Sequence, residues 1–156
     1  MSAVQECAEA APAEIARHVS REKIERLESY LQHVPQVDLQ TKHYISAGMY
    51  AREITIPAGT VLTGAAHKFE HLNICHGDII VWTEDGMKRL TGHHTMASRA
   101  GAKRVGLAIR DTVWTTIHRT DETDIEKLEE MLTDEAERLQ TRRLGLPQHA
   151  QELLEV

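Results

Sequence analysis

The sequence predicts a mainly β domain, an antiparallel barrel or sandwich, with an amphipathic helix on either side of it. Three observations carry this expectation. Strand-like segments rich in β-branched residues follow one another from Tyr44 to His118, glycine-bearing turns separate them, and the apolar period becomes helical before and after this stretch. A parallel sheet would need helical patterns between its strands, and none intervenes.

In chain order, residues 1–19 are polar and alanine-rich, with Pro12 among them, and read as a mobile or partly helical leader. This opening lacks the basic region and apolar segment of a secretory signal. Residues 20–43 form a helix and its connection: Ile24, Leu27, Leu31 and Val34 recur at spacings of three and four, Ser20 can cap the start, and Pro35 discourages continuation. Residues 44–120 form the β core. Within it Pro57-Ala58-Gly59 turns the chain, Asp85-Gly86 signals a tight hairpin in GDIIVWTEDGMKRL, and the polar run from Gly92 to Lys103 leads into RVGLAIRDTVWTTIH. Residues 121–144 predict one C-terminal helix, because Ile125, Leu128, Leu132, Ala136 and Leu139 make a single stripe. Acidic residues stand at its start and Arg142 and Arg143 at its end, and Gly145 and Pro147 stop it. Residues 145–156 are a tail. Both helices are expected to pack on the domain or on a second copy, and a homodimer is predicted.

Composition narrows the function. With 156 residues, 41% of them hydrophobic and only one Phe, the chain can bury one core built of Leu, Ile, Val, Met and two Trp. A formal charge of −6 offers no general electrostatic reason to bind nucleic acid, although Lys88, Arg89, Arg99, Lys103, Arg104 and Arg110 make the middle locally basic. No run of eighteen apolar residues is present to span a membrane. Cys7 and Cys75 fall in different predicted elements, so a disulfide is poorly motivated and a reducing, cytoplasmic setting is expected.

The residues that carry chemistry concentrate in GAAHKFEHLNICHG, where His67, Glu70, His71 and His76 lie within ten positions. In the later segment DTVWTTIH, the two-residue period of a strand aligns Thr112, Trp114, Thr116 and His118 on one face, so His118 can approach His67 and His71 across a barrel. An even separation lets an uninterrupted strand point His67 and His71 the same way, together with Asn73. Three neutral imidazoles suit a divalent Zn, Fe, Ni or Cu ion. Simpler readings stand beside this one: the histidines can be structural, His76 and the pair His93-His94 can sit in turns, and Trp82 and Trp114 can be core anchors. Tyr50, Arg52 and Glu53 can line a pocket or face solvent.

These residues resemble the cupins, specifically small single-domain cupin-like proteins of phages and prophages, with degenerate metal motifs. The resemblance spans about Tyr44 to His118. It rests on Gly59 or Gly64, His67, Glu70 and Gly77, on the Pro57-Ala58-Gly59 entry turn and on the Glu84-Asp85-Gly86 hairpin. In one register Glu70 takes the place of the family glutamate but follows His67 too soon; in the other, Ala65 and His67 take the two histidine positions and His71 replaces the glutamate. The second family motif resembles Arg99 to Arg104, with arginine where the ligand histidine usually lies. A guanidinium stays protonated and cannot act as a neutral nitrogen ligand, though it can bind an anion.

The resemblance implies a cupin-like antiparallel β-barrel or jelly roll, and three readings of function stay open. The first is a protein that binds a small anionic molecule in a barrel pocket, with Arg104, Lys103, Asn73 and Trp114 as ligand-binding residues. The second is a metal-dependent hydrolase, lyase or isomerase, with His67, His71 and His118 as metal ligands and Glu70 and His71 as acid/base groups. The third is a structural homo-oligomer.

Overall fold

The computed structural model describes residues 19–145 and 149–150. Most of the leader and of the tail, with Cys7 and His18, lies outside the described residues. Helix α1 (Arg21–Leu31) is followed by β1 (Lys42–Ser46), β2 (Met49–Ile56), β3 (Val61–Thr63), β4 (His71–Thr83), β5 (Gly86–Ser98) and β6 (Val105–Arg119). Then come α2 (Ile125–Leu132), a 3-10 turn (Ala136–Arg138), α3 (Gln140–Leu144) and the short β7 (His149–Ala150).

The strands make one sheet in the order β5-β4-β6-β2-β1-β7, with β3 pairing β6 off this path. All pairs are antiparallel except β1 with β7. The predicted mainly antiparallel β domain is therefore present, and it is an open sheet: among the described residues no pairing closes β5 onto β7. The fifteen-residue β6 organises it. Along one edge it pairs β4, and along the other it serves β3 with Val105–Leu107 and β2 with Thr112–Arg119. Where β4 shifts register against β6, Gly77 sits at φ 149°, and a Cβ there would lie 2.4 Å from Thr112 Oγ1 and 2.7 Å from the Asp111 carbonyl. Glycine is required by that close approach.

Three expectations are corrected. His76 is not a turn residue: it lies inside β4, opposite His93 of β5. His93 and His94 likewise belong to a strand, because β5 continues to Ser98 rather than ending near Gly92. As the sheet's edge strand, β5 accommodates a polar sequence with solvent on one side, and this masked its strand character. The predicted single C-terminal helix is broken after Leu132, where Thr133 turns extended (φ −146°, ψ 146°).

Both flanking helices cover their own domain. Ser20 caps α1 as expected, accepting from the Lys23 amide, and the stripe buries Ile24 against Trp82, Val105 and Leu107. On α2, Leu128 and Leu132 pack with Tyr50. A third cluster, Ile56, Cys75, Ile79, Val81, Leu90 and Ala108, fills the sheet interior.

Candidate metal and ligand site

A cavity of about 790 Å³ opens between the inner face of the sheet, α1 with the segment after it, and the residues that follow α2. His67, His71 and His118 line one end of it, and their candidate ligand nitrogens all lie within 4.8 Å of one another. Each histidine arrives differently. His71 opens β4 and His118 lies near the end of β6, so the sheet supplies two rings directly. His67 lies in the loop before β4 and not in a strand. The even spacing of His67 and His71 therefore gave the right association through the wrong local geometry.

Long-range bonds position His67. The Gly64 amide donates to the Arg104 carbonyl (2.9 Å), the Gly101 amide to the His67 carbonyl (2.7 Å), and the Lys68 amide to the Leu132 carbonyl (2.8 Å). Ala66 is held at both polar groups, its amide by Glu135 Oε2 (2.6 Å) and its carbonyl by Thr133 Oγ1 (2.7 Å). This explains the break in the C-terminal helix. Thr133 and Glu135 leave the helical path and bond to the histidine loop instead.

The rings form a compact triad with centroid separations of 4.5 to 4.8 Å. His71 Nδ1 lies 2.9 Å from the Phe69 carbonyl, which can only accept, so Nδ1 carries the proton and Nε2 keeps its lone pair. His67 Nδ1 and His118 Nε2 are 2.7 Å apart, a hydrogen bond between neutral rings. Burial, reinforced by the neighbouring rings and by Arg52 and Arg104, pushes His67 down to about 3. Burial and His71 push His118 down to about 4. Burial also lowers His71, outweighing the Phe69 bond. Neutral imidazoles are the form that binds metal.

Two guanidinium groups face the same end. Arg104 lies over the Trp114 ring at 6.0 Å from its centroid and donates from Nη2 to Ser98 Oγ. Arg52 lines the cavity from β2, and its buried Nε has no hydrogen-bond partner among the described residues. Neither arginine forms an ion pair with a described carboxylate. Asn73 and Trp114 support this arrangement: Asn73 Oδ1 accepts from Trp114 Nε1 and Thr116 Oγ1 (both 3.0 Å), and Asn73 Nδ2 donates to Ser98 Oγ (2.6 Å). Asn73 is thus occupied mainly in orienting Trp114 and, through Ser98, Arg104.

Two proposed site residues lie elsewhere. Lys103 is turned inward, away from the cavity lining, with Nζ 2.8 Å from Glu28 Oε2 and 2.6 Å from Glu135 Oε1. It joins α1 to the segment after α2 instead of presenting a charge to a ligand. Glu70 is exposed and absent from the cavity wall, because it precedes His71 and so takes the opposite side of the chain. Of Tyr50, Arg52 and Glu53, which the sequence allows either in a pocket or facing solvent, Tyr50 and Arg52 line the cavity. The signal for Arg52 was the two-residue period of β2, where a lone basic residue shares the inward face with Tyr50, Ile54 and Ile56.

No protein-family model matches the chain. No curated protein matches it. Among solved structures, a cupin-2 domain protein from Shewanella frigidimarina NCIMB 400 is 8% identical, with a TM-score of 0.44, over 60% of this chain and 91% of its own. A cupin domain from Bordetella pertussis Tohama I is 14% identical, with a TM-score of 0.44, over 56% of this chain and 98% of its own. KdgF from a Halomonas species is 13% identical, with a TM-score of 0.42, over 51% of this chain and 77% of its own.

Proposed function

We propose that this chain binds a small anionic molecule in its sheet-lined cavity, beside a divalent metal ion held by His67, His71 and His118. The observation that carries the reading is the meeting, at one end of the cavity, of three neutral imidazoles with two arginines that lack carboxylate partners among the described residues. Uncompensated guanidinium groups in a partly dry site favour an anion, and Arg can hold a carboxylate or phosphate with two parallel hydrogen bonds. The donor set fits a borderline ion such as Zn, Fe, Ni or Cu: it is all imidazole, and the Phe69 carbonyl fixes the tautomer of His71. Bound there, such an ion would polarise a ligand oxygen or lower the pKa of a coordinated water.

A binding role is favoured over the hydrolase, lyase or isomerase reading because no free carboxylate stands at the cluster among the described residues. Glu70 is exposed, and Glu28 and Glu135 are paired with Lys103 and Arg138. We place the chain with small cupins of the phage and prophage type, acting in the cytoplasm as a homodimer. No described helix is long and apolar enough to cross a membrane. The flanking helices are buried on their own domain, so the dimer contact would use exposed apolar residues such as Phe69 and Met131, which border one surface depression.

Calorimetric titration of metal-free protein with Zn²⁺, followed by acetate or phosphate, tests the site. One ion per chain is expected, lost in His67→Ala and His118→Ala, and anion affinity should fall about tenfold or more in Arg52→Leu and Arg104→Leu. Absence of Zn²⁺ binding would remove the metal, and unchanged anion affinity in both arginine variants would remove the anion site.

A further inference from the structure

We infer that the ligand is an amphipathic acid, whose anionic head lies at the arginine and histidine end while an apolar chain or ring runs along the sheet away from it. The inference rests on the anion-binding reading above and names the substrate class. Its ground is a gradient of polarity along the inward face. Register places Tyr50 opposite His118 and Arg52 opposite Thr116, with Asn73 on the other side of Thr116. One step further along the same face, Ile54 stands opposite Trp114, and the next inward residue of β2 is Ile56. Beyond the Gly77 irregularity β4 continues the apolar wall with Ile79 and Val81. Four residue steps along the strand take Arg52 to Ile56, a run of about 13 Å.

This apolar section is incompletely covered. Ile54, Leu62 and Leu39 pack on the core cluster yet stay only partly buried, and all three line the cavity. Leu31, at the end of α1, lines it from the opposite side. Inward apolar side chains left partly uncovered along a cavity gain from a ligand that removes them from water. A wholly hydrophilic anion would engage Arg52 and Arg104 and leave that wall wet.

Calorimetry with Zn²⁺-loaded and metal-free protein across acetate, butanoate, hexanoate and octanoate, with gluconate and octanol as controls, tests the inference. Affinity should rise about twofold to fourfold per added methylene. Octanoate should bind at least tenfold tighter than both gluconate and octanol. Leu31→Asn, at a partly exposed site, should flatten the rise in affinity from acetate to octanoate, and an undiminished rise would overturn the placement of the apolar chain along this wall. Acids that bind with no dependence on length would overturn the apolar part and leave the anion site standing. Octanol binding as tightly as octanoate would overturn the head-group part, and no binding by any acid, with or without Zn²⁺, would overturn this inference together with the reading beneath it.

Discussion

Replacing Lys103 by Met tests whether the inward ion cluster holds the histidine loop in place. The Lys103 side chain is 1% exposed and bridges Glu28 and Glu135, whose side chains are 11% and 18% exposed. Removing one partner of a buried pair costs about 3–5 kcal/mol, because the remaining charge stays desolvated. Here Arg138 still reaches Glu28 (3.0 Å) and Glu135 (3.6 Å), and both carboxylates retain some solvent. The expected loss is therefore about 2–4 kcal/mol. Urea unfolding should show it as a lower midpoint at unchanged m-value. Adding Glu135→Gln to Lys103→Met should recover part of the loss, since a neutral amide leaves no orphaned charge and can still accept from the Ala66 amide. A loss below about 0.5 kcal/mol would mean that solvent already screens the cluster and that it does not anchor the loop. Should Lys103→Met stay fully folded but lose anion binding, Lys103 would return to the ligand site.

The remaining predictions concern the sheet. Hydrogen bonds from Arg89 hold Asp78 below the usual carboxylate range, so its contribution to stability is fully present above the unfolded value of about 3.9 and is lost as pH falls through the lower folded value. Arg89 is more than half exposed and the pair is screened, so Asp78→Asn should cost about 1 kcal/mol at neutral pH and flatten the acid limb of Tm against pH; an unaltered acid limb would refute this. Gly77→Ala should cost about 1–3 kcal/mol, since the added methyl meets Thr112 and backbone; a Tm equal to the parent would show that β6 moves aside freely. Burial pushes the Cys75 thiol up to about 11, so it should resist a thiol reagent at pH 8 in folded protein and react once unfolded; equal rates in the two states would contradict its burial.

Much of the fold was legible because its determinants are local. The stripe of Ile24, Leu27 and Leu31, the Ser20 cap, the Pro57-Ala58-Gly59 turn and the alternation in β6 each act within a few residues, and each appears where expected. The polar strand β5 was harder to see, because an edge strand has one partner and a solvated side and so loses the apolar alternation that marks interior strands. The C-terminal segment misled for another reason: its apolar stripe is helical throughout, and only the bonds from Thr133 and Glu135 to Ala66 reveal why the helix stops.

The sequence by itself determined which chemistry was available: imidazoles near Gly64 to Gly77, one more at the end of a strand with a polar inward face, and basic residues such as Arg52, Lys103 and Arg104. Tertiary structure decided which of these groups meet. His67 reaches the cluster on a loop secured by residues from distant parts of the chain, Arg104 faces the cavity while adjacent Lys103 turns into an ion cluster, and Arg52 is left without a carboxylate among the described residues. Whether a charged side chain serves a ligand or the fold depends on which opposite charge lies within a few ångströms, and that neighbour comes from a remote segment.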